Sequence, residues 1–289
     1  MSCPCLVSSP GPRGMLVAAL VLFAQALGLP PMIRPTAAAI IIQDQFDYAA
    51  GSLNGQNGGQ GFTTAWQASG DLVVTSPGLT YGALETSGNA ITGLNSGSML
   101  RLFDNTGLTG DGASYWFSVL FAAPEATAGS ATAIPSFFSN AAGGIGQVSG
   151  FAVSFNPSSR TSVYMDARIG GSILDSADVP GADFYAGSYL VLGRITFSDT
   201  SGQDRLEVWL NPPLTGTPGT PLFNVTGTWV DPGANNSFFM NKYDPPDRSI
   251  DEIRLGTTLA DVLPVPEPTA TWLLVPLALA GWRYSRPRR

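Results

Sequence analysis

The sequence predicts an all-β body built from antiparallel sheets, on three observations. Short runs rich in β-branched and aromatic residues recur through residues 40–263, separated by Gly, Pro, Asn and Ser. No stretch of that span carries the 3.6-residue apolar period of an amphipathic helix. Its length is also one that a single all-β sandwich or barrel fills, so one domain is expected.

Taken in order, Ile40, Ile41 and Ile42 with Phe46 open the series. Residues 51–61 (GSLNGQNGGQG) are glycine- and amide-rich and are expected to hold no regular element. Strands are then predicted at 72–75, 99–103, 115–121, 150–155, 162–169, 189–198, 204–210, 237–241 and 249–256. Residues 199–204 join two of them over a few turn-forming residues, the spacing and composition of a hairpin. In the second of these strands Leu206, Val208 and Leu210 share one face and Glu207 and Trp209 the other, which predicts one buried face and one wet one.

Charge and cysteine usage narrow the function classes. Residues 40–263 hold 20 acidic against 8 basic residues, a net charge of −12 (8 − 20), so nucleic acid is not expected as a partner. Lys242 is the only lysine, and low charge with abundant Gly, Ser, Thr and Asn fits a solvated extracellular β-surface. Cys3 and Cys5, the only cysteines, precede the body, so packing rather than disulfides must stabilise it.

The two ends have their own logic. Arg13 precedes an apolar run over 15–29, and Ala37, Ala38 and Ala39 offer small residues for cleavage, so residues 1–39 read as a secretory signal helix with the mature chain starting near Ile40. An earlier cut after Ala26 would fall inside the apolar run. At the other end Pro264, Pro266 and Pro268 remove backbone donors and extend the residues before them, making an accessible linker. The apolar run 269–282 that follows has 14 residues. At ~1.5 Å per residue it spans roughly 21 Å of a hydrocarbon core about 30 Å thick, a marginal transmembrane helix. Trp272 and Trp282 can occupy the two interfaces while Arg283, Arg286, Arg288 and Arg289 keep their charge among headgroups on the cytoplasmic side.

Pro264 to Pro268 (PVPEP), the apolar run and the arginine cluster together resemble the PEP-CTERM tail of exported bacterial proteins. That resemblance implies that an exosortase-type enzyme recognises Pro266, Glu267 and Pro268 and processes the anchor, after a transient stay in the inner membrane. The chain would then be a cell-surface or extracellular protein. A second resemblance covers most of the body. Phe46-Asp47-Tyr48, Trp66, residues 75–81 (TSPGLTY), 204–212 (DRLEVWLNP) and 251–258 (DEIRLGTT) are similar to LamG-like, concanavalin A-like jelly-roll domains. It implies a two-sheet antiparallel sandwich whose relatives include lectins, adhesion modules and glycosidases, among which fold cannot choose.

Chemistry can be narrowed further. With no histidine in the chain and no cysteine in the body, Ser-His-Asp and Cys-His catalysis and the usual zinc sites are excluded. Jelly-roll hydrolases place their carboxylates in an E-x-D-x-x-E strand, and no two acidic residues here stand at i and i+2. No catalytic residue is therefore expected. Trp66, just after the amide-rich loop, and Trp209, facing away from three aliphatic neighbours, are expected to present rings to sugars, whereas Trp116 is expected to pack. Residues 104–107 (DNTG) with Asp111, the 199–204 turn, and Asp244 with Asp247 offer hard oxygen donors without an EF-hand, so calcium is the one cofactor that could be accommodated and no metal ligands are assigned. The expected function is that of an exported, non-enzymatic surface or matrix protein contacting exopolysaccharide. The alternative is a lectin-like module with a defined pocket, and a glycosidase ranks third.

Overall fold

The computed structural model describes residues 40–93, 97–122, 133–140, 149–181, 183–185, 187–233, 235–242 and 249–264. The signal segment 1–39 and the tail residues Pro266, Glu267, Pro268, Trp272, Trp282, Arg283, Arg286, Arg288 and Arg289 lie outside the described residues. No helix among the described residues is long and apolar enough to cross a membrane.

The strands are β1 (Ile40–Asp44), β2 (Gly51–Ser52), β3 (Gln67–Ser69), β4 (Leu72–Thr75), β5 (Ala90–Gly93), β6 (Gly97–Leu102), β7 (Ser114–Ala122) and β8 (Ala133–Ser139). They continue as β9 (Phe151–Ser159), β10 (Ser162–Ile169), β11 (Ser172–Pro180), β12 (Ser188–Thr196), β13 (Asp204–Leu210), β14 (Phe223–Gly227), β15 (Ser237–Lys242) and β16 (Ser249–Gly256), before one helical turn, α1 (Leu259–Val262). All pairings among them are antiparallel, and they form two sheets. The nine-stranded sheet runs β14-β13-β12-β7-β16-β5-β4-β2, with β1 also paired to β16, and the seven-stranded sheet runs β11-β10-β9-β8-β15-β6-β3. The body is a two-sheet antiparallel sandwich.

Period-two alternation in the long strands builds the layer between the sheets. Phe117, Val119 and Phe121 on β7 face inward against Phe137 on β8, Phe155 on β9 and Phe238 on β15. Phe117 and Phe137 stack with ring centroids 4.4 Å apart, and Phe121 and Phe155 at 5.0 Å. No disulfide stands behind this layer, so close packing of large rings is the main source of cohesion. The 199–204 hairpin forms as its composition predicts. Asp204 accepts the Ser198 N–H at 2.9 Å and the Trp229 N–H at 2.6 Å, which fixes the turn between β12 and β13 and draws in the segment after β14.

Two expectations are corrected. Residues 51–61 are not free of regular structure: Gly51 and Ser52 pair with β4, and Gln43 and Gln60 form an isolated bridge. Gly59 and Gly61, both at positive φ, lie against the β1 backbone where any Cβ would meet the carbonyls of Gln43 and Ile41. Nor is the outer face of β13 wet. Leu120, Leu190, Leu192 and Trp209 on the outer face of the nine-stranded sheet are covered by Leu79, Tyr81 and Leu84 and by Val262 and Leu263 around α1, which creates a second, smaller core. Ser118 on β7 donates to the Val262 carbonyl at 2.8 Å, and Asp261 accepts the Thr258 N–H at 2.7 Å, so the turn after β16 is held down at both ends.

One ion pair crosses the sandwich. Asp44 on β1 and Arg101 on β6 belong to opposite sheets, both are 1% exposed, and they meet at 2.8 Å. Asp44 also accepts from the Tyr48 hydroxyl (2.6 Å), Trp66 Nε1 (2.9 Å) and the Phe46 N–H (2.9 Å). Arg101 spends its other donors on the Thr64 carbonyl (2.6 Å) and Asn57 Oδ1 (2.7 Å) and lies 4.3 Å from the Phe62 ring centroid. Breaking a buried pair by removing one partner strands the other charge, at a cost of about 3–5 kcal/mol. Arg101→Met should therefore lower the urea midpoint severely. Arg160→Ala, which removes an exposed pair with Asp183, should shift the midpoint only slightly. Equal, small shifts in the two variants would show that the Asp44–Arg101 pair does not hold the sheets together.

Candidate functional site

At one end of the sandwich the chain leaves a cleft of about 750 Å³, formed where the end of β11, the 181–184 loop, the start of β12, the end of β13 and the 212–222 loop converge. That volume lies within the range of small-molecule sites, roughly 300–1,000 Å³. Its aromatic lining comes from Phe184, Tyr189 and Trp209. Phe184 and Tyr189 pack with centroids 5.0 Å apart, and Tyr189 in turn contacts Phe155 of the main core at 5.9 Å, so the rings are anchored from behind.

The polar groups of the cleft are held in place by their local turns. Asn211 sits at φ 49, just past β13; its N–H donates to the Leu190 carbonyl at 2.8 Å, and its Oδ1 accepts the Leu190 N–H at 2.9 Å. This closes β13 against β12 and leaves the amide at the cleft wall. Asp183 accepts the Tyr185 N–H at 3.0 Å and an Arg160 donor at 2.8 Å, while the Tyr189 hydroxyl donates to the Asp183 carbonyl. The Tyr185 N–H, with the Arg160 guanidinium, holds the Asp183 carboxyl below the usual carboxylate range. Burial, reinforced by the Asp183 charge, pushes the Tyr189 phenol up. The site thus presents an ionised acceptor, a neutral phenol and an amide between aromatic and proline walls.

Charged clusters also lie outside the cleft, among them one on β16 and one on β10. On β16, Asp251 accepts the Leu79 N–H (2.7 Å), Glu252 accepts the Ser87 N–H (2.7 Å) and pairs with Arg254 (2.6 Å), and Arg254 also reaches the Glu85 carbonyl. These bonds tie the 76–88 segment to the sheet. Burial pushes the Asp251 carboxyl up to about 8, with the Glu252 charge adding to the rise, and burial also raises Glu252 and lowers Arg254. On the outer face of β10, Arg168 clasps Asp166 through two bonds at 2.6 and 2.8 Å. In the β16 cluster Arg254 Nε and one terminal nitrogen are buried without a hydrogen-bond partner.

The aromatic expectations are corrected by burial. Trp66 is 1% exposed, donates to Asp44 and packs on Phe46, Phe62 and Phe238, so it belongs to the main core. Trp209 is 5% exposed, stacks on Trp116 at 5.7 Å, donates Nε1 to the Gly219 carbonyl at 3.0 Å and lines the cleft. Trp116 packs, as expected, though half-buried beneath the Arg194 guanidinium. Asp183 and Phe184 had no motif to mark them; Asn211 was marked only as part of the 204–212 segment (DRLEVWLNP), with Pro212, Pro213 and Pro218 clustered beside it.

Among the described residues no group of three or more His, Cys, Asp or Glu could hold a metal ion. In the turns that offer hard oxygen donors, Asp104 accepts the Thr106 N–H and Asp204 the N–H groups of Ser198 and Trp229. Burial and the charges of Asp231, Asp199 and Asp204 raise the Asp111 carboxyl. Asp244 and Asp247 lie outside the described residues.

No protein-family model matches the chain, and no curated protein matches it. Solved structures similar to it include the carbohydrate-binding module CBM66 from Bacillus subtilis, at 11% identity over 66% of this chain and 94% of that one, with a TM-score of 0.39. Another is an endo-1,3-beta-glucanase from Streptomyces sioyaensis, at 13% identity over 78% of this chain and 99% of that one, with a TM-score of 0.47. A third is the calcium- and Man3GlcNAc-bound exoplasmic/lumenal domain of VIP36, at 12% identity, 69% and 88% coverage and a TM-score of 0.42.

The raised carboxyls have a consequence for pH. A carboxyl whose folded pKa lies above its unfolded value stabilises the fold below the unfolded pKa, and that contribution is lost as pH rises through the folded pKa. For Asp251 the window runs from the ordinary aspartate range up to about 8, and Asp44 and Glu252 shift in the same direction. The melting temperature should therefore fall between pH 5 and pH 8.5, and Asp251→Asn should flatten that fall. A wild-type melting temperature that rises over this interval would contradict the assignment.

Proposed function

We propose that the body is a non-enzymatic glycan-binding module and that the end cleft is its binding site. One observation carries this reading: a cleft of about 750 Å³ walled by Phe184, Tyr189 and Trp209, with Asp183 and Asn211 fixed beside them. Sugar rings present apolar C–H faces and a fringe of hydroxyls, which aromatic walls and a few oriented polar groups match. The same geometry disfavours hydrolysis. Among the described residues Asp183 is the only acidic one lining the cleft, and Arg160 engages it, whereas glycoside hydrolases set two carboxyls about 5–9.5 Å apart across the scissile bond. A defined cleft favours the lectin-like form of the expectation over diffuse contact with exopolysaccharide.

We further propose that the chain is exported by its 1–39 signal and sorted through residues 264–289, with an exosortase-type enzyme acting at Pro266-Glu267-Pro268. This rests on the resemblance of the tail and on the marginal 14-residue apolar run, which suits a temporary anchor in the inner membrane. The destination is the cell surface or the extracellular space.

Two measurements check these proposals. On a glycan array the protein should bind at least one oligosaccharide class and release no reducing sugar from it. Tyr189→Ala should weaken that binding about three- to tenfold without changing the far-ultraviolet circular dichroism. Turnover abolished by one Asp or Glu substitution would replace this reading with a glycosidase. Intact-mass analysis of the surface fraction in the native host should find chains lacking Arg283, Arg286, Arg288 and Arg289, and Glu267→Ala should leave them attached. Mature chains ending at Arg289 would show that the tail is a permanent anchor.

A further inference from the structure

The cleft is rich in hydrogen-bond acceptors and poor in donors. Pro180, Pro212, Pro213 and Pro218 contribute four lining positions without an N–H. Four further lining residues commit their backbone donors inside the protein: Gly181 to the Thr161 carbonyl (3.0 Å), Phe184 to Arg160 (2.6 Å), Asn211 to Leu190 (2.8 Å) and Leu222 to Val208 (2.7 Å). Trp209 Nε1 is held by the Gly219 carbonyl, and the Tyr189 hydroxyl proton by the Asp183 carbonyl. Among the described residues, no Lys, Arg or His lines the cleft. Asn211 Nδ2 and the Thr220 hydroxyl remain as side-chain donors, against the acceptor oxygens of Asp183 and the Tyr189 phenol.

This asymmetry discriminates between classes of sugar. A hydroxyl can donate into an acceptor-rich wall, whereas a carboxylate, sulfate or phosphate only accepts and needs cations or N–H groups to replace its water. The Asp183 charge repels such a group directly, and the −12 charge of residues 40–263 raises its concentration nowhere near the cleft. Arg160, the cation beside Asp183, already shares its guanidinium between that carboxylate and the Tyr185 ring, 5.5 Å away.

Resting on the reading of the cleft as a glycan site, we infer that it selects uncharged glycans and rejects uronates and sulfated sugars. The ligand class is neutral oligosaccharide, recognised through hydroxyls that donate to Asp183 and Tyr189 and through ring faces that lie against the aromatic wall. Specificity comes from missing donors and a like charge as much as from attractive contacts.

The test uses the purified full-length chain and matched ligands: neutral oligosaccharides, each paired with its C6-carboxylate counterpart, titrated calorimetrically at low and at 0.5 M salt. The neutral member should bind, and the carboxylated one should bind at least about tenfold more weakly at low salt, with the gap narrowing as salt screens the repulsion. Asp183→Asn, which keeps an acceptor for the Tyr185 N–H, should narrow the gap at low salt as well. Because the comparison of paired ligands uses the unaltered protein, it holds even if that variant fails to fold. Equal or tighter binding of the carboxylated member would overturn the selectivity and leave the glycan site standing. Binding of neither member by any pair on the panel would overturn the glycan site and this inference with it.

Discussion

The constraint on which the rest depends is the buried pair of Asp44 and Arg101. It joins β1 of one sheet to β6 of the other in surroundings where neither charge reaches water. Desolvation alone would make such a pair costly. Here each remaining site is filled, by Tyr48, Trp66 and the Phe46 N–H on one side and by Thr64, Asn57 and the Phe62 ring on the other. The pair therefore specifies how the sheets align rather than simply adding cohesion, which comes from the phenylalanine layer beside it. The glycine-rich segment 51–61 follows from the same arrangement, since Asn57 must reach Arg101 while Gly59 and Gly61 lie flat on β1.

A second layer of organisation covers the outer face of the nine-stranded sheet. Asp251, Glu252 and Arg254 hold the 76–88 segment, whose Leu79, Tyr81 and Leu84 close over Leu120, Leu190, Leu192 and Trp209. That cover leaves Trp209 only 5% exposed, as a fixed part of the cleft lining. The cleft is thus built from the ends of strands whose middles serve the two cores, which gives its aromatic groups rigid backing.

Much of the fold was legible in the sequence, because short runs rich in β-branched and aromatic residues, bounded by Gly, Pro, Asn and Ser, mark strands. The predicted runs 72–75, 162–169, 204–210 and 249–256 coincide with β4, β10, β13 and β16. Of the strands without a prior expectation, β8 and β11 lack period-two alternation, whereas β3 (QAS) and β14 (FNVTG) carry it over only three and five residues. β8 is buried on both faces and so does not alternate, and most of β11 is exposed at the edge of its sheet. The candidate site was less legible for a related reason. An exposed tryptophan cannot be told from a buried one when the covering segment comes from 125 residues earlier in the chain, as Leu84 does for Trp209. Asp183, Tyr189 and Asn211 come together only through β11, β12 and β13, and no spacing in the sequence encodes that meeting.

Mapping where a sugar lands tests the account most directly. Isotope-labelled protein titrated with a neutral oligosaccharide should show amide and aromatic shift changes concentrated at residues 181–189 and 209–222, with Tyr189 and Asn211 among the largest. Changes centred instead on the outer face of β9 and β10, around Asp166 and Arg168, would contradict it, because the binding site would then lie on the sheet and not in the cleft.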